Sequence, residues 1–490
     1  MTDPPPENEW KTLNKDLERI AVLEQASLHV ARPLIGPGVA LAFMVIVGLI
    51  AAVLTGQQPH SLIVVAAAII GAYMALNIGA NDVANNMGPA VGAQALTLGG
   101  ALVVAAVFET AGALLGGGDV IDTVSRGIVA PEAVAEPAVF IWAMMSALLA
   151  GALWINLATW LGAPVSTTHS IVGGVVGAGI AAAGLMSVNW PTMGAIAASW
   201  VISPLMGGVL AAAILAFIKT SIIYTPDILS AARRWVPLLI GVMGGAFAIY
   251  LSIKGVNKVL HITPTTSALI GLGTTVVLTL AMRPVIRRQS RGLENRKKSL
   301  KVLFSIPLVC SAALLSFAHG ANDVANAVGP LAAIVTAVNE GRGATESVAI
   351  PLWIMAIGAA GLSLGLLMFG PRMIRMVGSQ ITRLNAVRAY CVALSAAITV
   401  IIASWLGLPV SSTHIAIGGI FGVGFFREWY HERILKKNRA YTGLPPEERA
   451  RRKLVRRSHF LTIVAAWVVT VPATAGLAAL LFMLLHLIPV

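Results

Sequence analysis

Charged side chains are scarce in this chain. Only 11% of its 490 residues are Asp, Glu, Lys or Arg, against about 25% in a typical soluble domain. Hydrophobic residues make up 57%, and the mean hydropathy is +0.83. A soluble fold has no way to bury so much apolar surface, so a multi-span membrane protein is the reading that remains. Cysteine is almost missing: Cys310 and Cys391 both sit in apolar stretches. That excludes a disulfide framework or a zinc site and leaves two small core residues. No P-loop, Gly-x-Ser-x-Gly, His-Glu-x-x-His or cysteine-pair motif occurs. The chain is therefore expected to be no enzyme and to need no cofactor, and any work it does draws on an ion gradient or a partner.

Long apolar runs are what the chain has instead. Stretches such as 34–55, 140–161, 201–218 and 460–489 carry almost no charge, and about 20 apolar residues span a bilayer as a helix. The runs are continuous, without the ~10-residue alternation of a barrel. The 48 glycines suit close helix approach in a membrane. Residues 1–33 are polar and of mixed charge, which does not fit a cleaved signal peptide. Within them, 10–30 can form a surface amphipathic helix.

The net charge of +13 is concentrated. Eight basic residues lie in 283–301 and eleven in 427–457, of 34 in all. Both segments are flanked by apolar spans, so they read as cytoplasmic loops rather than a nucleic-acid surface. Contact with anionic membrane lipids comes with that placement.

The chain contains an internal duplication. Gly-Ala-Asn-Asp-Val-Ala-Asn occurs at 79–85 and again at 320–326, each followed by Gly-Pro (Gly88-Pro89, Gly329-Pro330). Trp-Leu-Gly-Ala-Pro-Val-Ser-Thr-Thr-His at 160–169 matches Trp-Leu-Gly-Leu-Pro-Val-Ser-Ser-Thr-His at 405–414. With the basic loops inside, the middle loop of the second copy (371–388) holds four arginines and no acid and reads as inside. The middle loop of the first (118–137) holds Asp119, Asp122, Glu132 and Glu136 against Arg126 and reads as outside. The copies then face opposite ways, as in secondary transporters.

The expected fold is an all-α polytopic membrane protein, an inverted-topology repeat with broken or re-entrant helices and about 11–13 membrane segments. Its expected order is a polar tail (1–33), an extra span (34–55), a first repeat (62–187), connecting spans and a basic loop (192–301), a second repeat (302–426), a basic loop (427–458) and a last span (459–488). The N-terminus and basic loops are expected in the cytoplasm, in a plasma membrane such as a bacterial inner membrane.

Carboxylates deep in a membrane are costly and mark function. Asp82, Asp323 and Glu109 are the candidates. Asn81 and Asn85, like Asn322 and Asn326, are four apart and share a helix face. Carboxylate and amide oxygens are hard ligands, suited to Na⁺ rather than a transition metal. The Gly-Pro pairs are expected to break each helix just beyond and free carbonyls. Asn86 has no twin, since Ala327 stands there. Segments 164–169 and 409–414 read as helix starts, where Ser166, Thr167, Thr168, Ser411, Ser412 and Thr413 offer hydroxyls beside free amides. Such ends bind anions. Neither motif holds Lys or Arg. Two aspartates plus divalent phosphate bring a charge of about −4, and each helix end returns about +0.5. Anion binding must therefore recruit Na⁺ or H⁺. A carboxylate also accepts a hydrogen bond from phosphate's P–OH, which sulfate lacks. His169, His319 and His414 lie within the motifs and are candidate proton relays; His319, opposite Ile78, is not duplicated, so His169 and His414 rank ahead of it.

These motifs resemble those of the inorganic phosphate transporter family, over about 62–485 of the chain. The resemblance implies symport of inorganic phosphate with Na⁺ or H⁺. By likeness, cation ligation falls on Asn81, Asp82, Asn85, Asn322, Asp323 and Asn326, and phosphate contact on the two Ser/Thr clusters and the aspartates. Many relatives carry a glutamate where Ala393 stands here, while Glu109 remains; the number and identity of coupled cations stay open. A sulfate or other oxyanion carrier is the alternative within the class, and a channel, scaffold or receptor the alternative outside it. A homodimer and a monomer are both left open.

Overall fold

The computed structural model describes residues 7–56, 60–134, 136–161, 163, 165–255, 262–340, 350–380, 384–435 and 457–487. Among these residues the chain is helical, with a single isolated β-bridge between Val129 and Val188. Among the described residues, eleven helices are long and apolar enough to cross a membrane. Most of the second basic loop (436–456) and the start of the first helix-entry segment at Pro164 lie outside the described residues.

The first helix, α1 (Glu7–Thr55), runs unbroken through the expected boundary between polar tail and first span. The first copy then supplies α2 (Ser61–Gly92), α3 (Leu98–Gly116), the short α4 (Gly118–Asp122) followed by a π-helical turn at Thr123–Gly127, α5 (Pro137–Leu161) and α6 (Thr167–Ala183). Three helices follow: α7 (Trp190–Ile218), α8 (Ile228–Lys254) and α9 (Pro264–Gln289). After the short α10 (Leu300–Leu303), the second copy supplies α11 (Ser305–Asp323), α12 (Ala325–Glu340), α13 (Leu352–Gln380), α14 (Ala386–Trp405) and α15 (Ser412–Leu435). The last helix is α16 (Arg457–Leu485).

The Gly-Pro pairs do not break the helices where expected. α2 carries Pro89 inside it and ends at Gly92, and α12 carries Pro330 and continues to Glu340. Proline removes one N–H, so the carbonyls of Asn85 and Asn326, four residues earlier, lose their regular donor. Pro89 loses little else, because it lies within a turn of the helix end. In the second copy α11 and α12 meet at Val324, which keeps right-handed helical dihedrals and accepts from the Val328 amide at 2.9 Å, so the two run on as one continuous span.

Glycine decides how the copies meet. A Cβ at Gly79 would overlap the carbonyl of Leu362 on α13, and one at Gly320 would overlap the carbonyl of Glu109 on α3. Each motif helix is thus pressed backbone to backbone on a helix of the other copy, the arrangement that small residues permit in membranes. α3 and α13 also touch directly, with Thr110 Oγ1 and Ser363 Oγ at 2.7 Å. The terminal helices cross over similarly. Gly173 and Gly177 of α6 lie on Val471 and Ala475 of α16, while Gly418 and Gly422 of α15 lie on Pro204 and Gly208 of α7. These crossings bring the ends of both motifs into one buried centre.

Candidate functional site

Asp82 sits in the middle of α2 and Asp323 at the end of α11, and both are buried. The start of α6 lies between them. Its N-cap is Ser166, whose Oγ accepts from the His169 amide at 3.1 Å; Ser411 caps α15 in the same way through His414, at 3.3 Å. The amides of Thr167, Thr168, Ser412 and Thr413 are first-turn groups that a helix leaves without internal acceptors.

Hydroxyls from these starts hold the carboxylates. Thr167 Oγ1 is 2.9 Å from Asp82 Oδ2 and 3.1 Å from Asp323 Oδ2. A hydroxyl has one proton to donate, so two carboxylates compete for one donor. Thr413 Oγ1 donates to Asp82 Oδ1 at 3.2 Å. The asparagines reach across the duplication. Asn85 Nδ2 donates to Thr413 Oγ1 at 2.7 Å, and Asn326 Nδ2 to Thr168 Oγ1 at 3.2 Å. Thr168 in turn donates to the Val410 carbonyl at 3.0 Å. Asn322 ties down the second loop, accepting from the Val410 amide and donating to Ser404 and the Leu408 carbonyl. Asn81 donates to Thr159.

Five acceptor oxygens of the centre remain unsatisfied. Asn81 Oδ1, Asn86 Oδ1, Glu109 Oε2, Asp323 Oδ1 and Asn326 Oδ1 are buried and have no protein donor. Buried polar atoms are normally paired. Five orphan acceptors lie on the motif helices and α3, and hard cations are the groups that match such oxygens. Ser412 Oγ is buried and unpartnered as well.

The model of the phosphate transporter family matches residues 78–478, which include all four motif segments. The chain belongs to the phosphate transporter family. A relative from Helicobacter pylori strain J99, named "Putative phosphate permease", is 41% identical, with 96% of this chain and 99% of the relative covered. A second, of the same description, from Pyrococcus abyssi is 36% identical over 86% of this chain and 97% of its own length. A solved structure described as "The sodium-dependent phosphate transporter" matches with a TM-score of 0.78 at 35% identity, covering 87% of this chain and all of that one. The family is one of integral membrane transporters, not enzymes.

In this phosphate transporter family member, two residues without duplicates join the centre. His319 Nε2 lies 3.2 Å from Asp323 Oδ2 and 3.6 Å from Asp82 Oδ2, and its Nδ1 is 3.2 Å from Glu109 Oε1. Asn86 Nδ2 donates to the same Glu109 oxygen at 2.9 Å. The acceptor atoms of Asp82, His319 and Asp323 all lie within 4.8 Å of one another. The further signal for His319 is its position one helical turn before Asp323, on the same face; weighting duplicated positions ranks it below His169 and His414. The duplicated histidines stand elsewhere. His169 stacks on Trp200 at 3.8 Å between centroids and lies 4.5 Å from His414. Ala393 is buried in α14. The position that packs on Gly79 as Glu109 packs on Gly320 is Leu362, so the acid on α3 has no acidic counterpart there.

Thr167→Val keeps the volume of the side chain but removes the donor shared by both aspartates. Phosphate uptake into proteoliposomes is expected to fall roughly tenfold, as for loss of one hydrogen bond to a charged group. Unchanged uptake would show that the hydroxyl does not support the site.

Proposed function

We propose that the chain imports inorganic phosphate by symport with Na⁺, through alternating access between two inverted repeats. The observation that carries this reading is the Thr167 hydroxyl set against Asp82 and Asp323 together, amid acceptor oxygens without donors. Asp82, Asn81, Asn85, Glu109, Asn322, Asp323 and Asn326 are the proposed cation ligands. Phosphate sits between the starts of α6 and α15, held by the free amides, by the Ser412 hydroxyl and by the remaining hydroxyls of Ser166, Thr167, Thr168, Ser411 and Thr413. Its P–OH donates to Asp82 or Asp323.

Na⁺ is favoured over H⁺ by the chemistry of the orphan acceptors. Three of the five are amide oxygens, which ligate a metal ion but do not take up a proton at ordinary pH. The printed description of the solved relative, a sodium-dependent transporter, points the same way. Inverted orientation is supported by the opposite charges of the middle loops and by the matched glycine crossings of the two copies. In this reading the N-terminus and basic loops face the cytoplasm of a bacterial inner membrane.

Replacing external Na⁺ by choline tests the coupling. At two pH values, uptake of labelled phosphate is expected to collapse in choline at both. Uptake that persists in choline and follows the pH gradient would replace Na⁺ by H⁺; stronger competition by sulfate than by arsenate would remove phosphate as the substrate.

A further inference from the structure

A second site lies away from the carboxylates. α7 and α15 run side by side in parallel, and α16 packs nearby. Between them is a cleft of about 1040 Å³, lined by apolar side chains such as Val201, Leu205 and Val209 of α7, Phe421 and Phe425 of α15, and Val471 of α16. From His414 to Trp429 it follows α15 for about 22 Å at the helical rise per residue. That is long enough for one acyl chain crossing half of the ~30 Å hydrocarbon core. A large apolar space does not hold water well, and within a membrane the apolar solvent at hand is lipid.

The two ends of the cleft differ. At one end Lys219 lies over the rings of Phe426 and Tyr430, 5.1 and 4.2 Å from their centroids, and Phe426 also lines the cleft. Arg427 and Lys297 are close enough to repel Lys219 electrostatically. Among the described residues no acid forms an ion pair with Lys219. This end carries the basic loops, so it lies at the cytoplasmic headgroup layer. Three clustered cations beside aromatic rings call for an anion at that depth. At the other end stand His169, Trp200 and His414. Trp200 Nε1 donates to the Pro409 carbonyl at 3.1 Å, and His169 Nδ1 is 2.7 Å from Ser166 Oγ. An occupant there touches the residues that brace both serine-capped helix starts.

We propose that this cleft binds an anionic phospholipid. One acyl chain fills it as far as Trp200, and the phosphate of the headgroup sits at Lys219 and Arg427. The bound chain keeps Trp200 and the two histidines packed, and through them the starts of α6 and α15.

Native mass spectrometry of the purified full-length protein tests the site without depending on transport. Phosphatidylglycerol and phosphatidylcholine of the same chain length serve as probes. Retention of phosphatidylglycerol is expected to exceed that of phosphatidylcholine roughly tenfold, from two cations acting on one phosphate. The double variant Lys219→Gln, Arg427→Gln is expected to abolish the preference. Leu205→Trp places an indole in the cleft and is expected to lower retention of both lipids, with melting close to that of the native protein. Equal retention of the two lipids by the native protein would overturn the headgroup assignment. Undiminished phosphatidylglycerol retention by Leu205→Trp would overturn the cleft as its location.

Discussion

Asp323→Asn is expected to abolish cation-driven phosphate uptake while leaving the protein inserted and folded. Asparagine has nearly the same volume, so packing at the end of α11 survives. What is lost is one negative charge at the point where Thr167, His319 and the proposed Na⁺ converge. A carboxylate that is buried and ligating contributes up to ~3 kcal/mol through each charged hydrogen bond, which corresponds to roughly a 100-fold loss in binding or transport. Further loss follows from coupling: phosphate arrives with negative charge, and the number of cations recruited to balance it drops. Uptake of labelled phosphate into proteoliposomes is the measurement, with gel filtration and melting of the variant as the control for folding. Native-level uptake by a folded Asp323→Asn protein would take this residue out of the site.

The second large effect is structural and concerns Gly320. A Cβ at this position would overlap the backbone carbonyl of Glu109. Backbone cannot swing aside as a flexible side chain does, so α3 and α11 must separate. Gly320→Ala is expected to destabilise the protein by about 3 kcal/mol, at the upper end of overpacking costs. It should also pull Glu109 away from His319, which now lie 3.2 Å apart. Gly476→Ala on α16 is the control, since a Cβ there meets nothing within 4 Å. Alanine at that site favours the helix and is expected to leave melting unchanged or raise it. Tryptophan-fluorescence melting of the two variants side by side decides the matter. If both melt together, close backbone approach at Gly320 is not what holds the copies in place.

Much of the molecule is legible in one sequence because membrane physics is local. The hydrocarbon core admits only segments that satisfy their own backbone, so apolar runs of sufficient length announce helices. The eleven helices of spanning length among the described residues follow from that. The motif aspartates and asparagines were legible for a related reason: polar groups at such depth cost too much to persist without a use. Duplication added weight to them, and the same weighting ranked His319 and Asn86 too low. The break expected beyond Gly329-Pro330 does not occur, because Pro330 is tolerated within α12, which continues to Glu340. Proline's effect depends on where the helix ends and what packs on it, and neither can be read from the dipeptide.

By itself, then, the sequence determined the all-helical membrane fold, the duplication, the charged loops and the polar residues of the centre, each a matter of composition or short-range pattern. Tertiary structure decided which of those residues meet. Thr167 stands against both aspartates, although they are 241 positions apart in the chain. His319 of α11 reaches Glu109 of α3, while His169 stacks on Trp200 and His414 lies against His169. Those encounters depend on how closely backbones approach at Gly79 and Gly320 and on the cross-packing of α6 with α16 and α15 with α7. Such contacts join residues hundreds of positions apart, and side-chain periodicity carries no information over that distance.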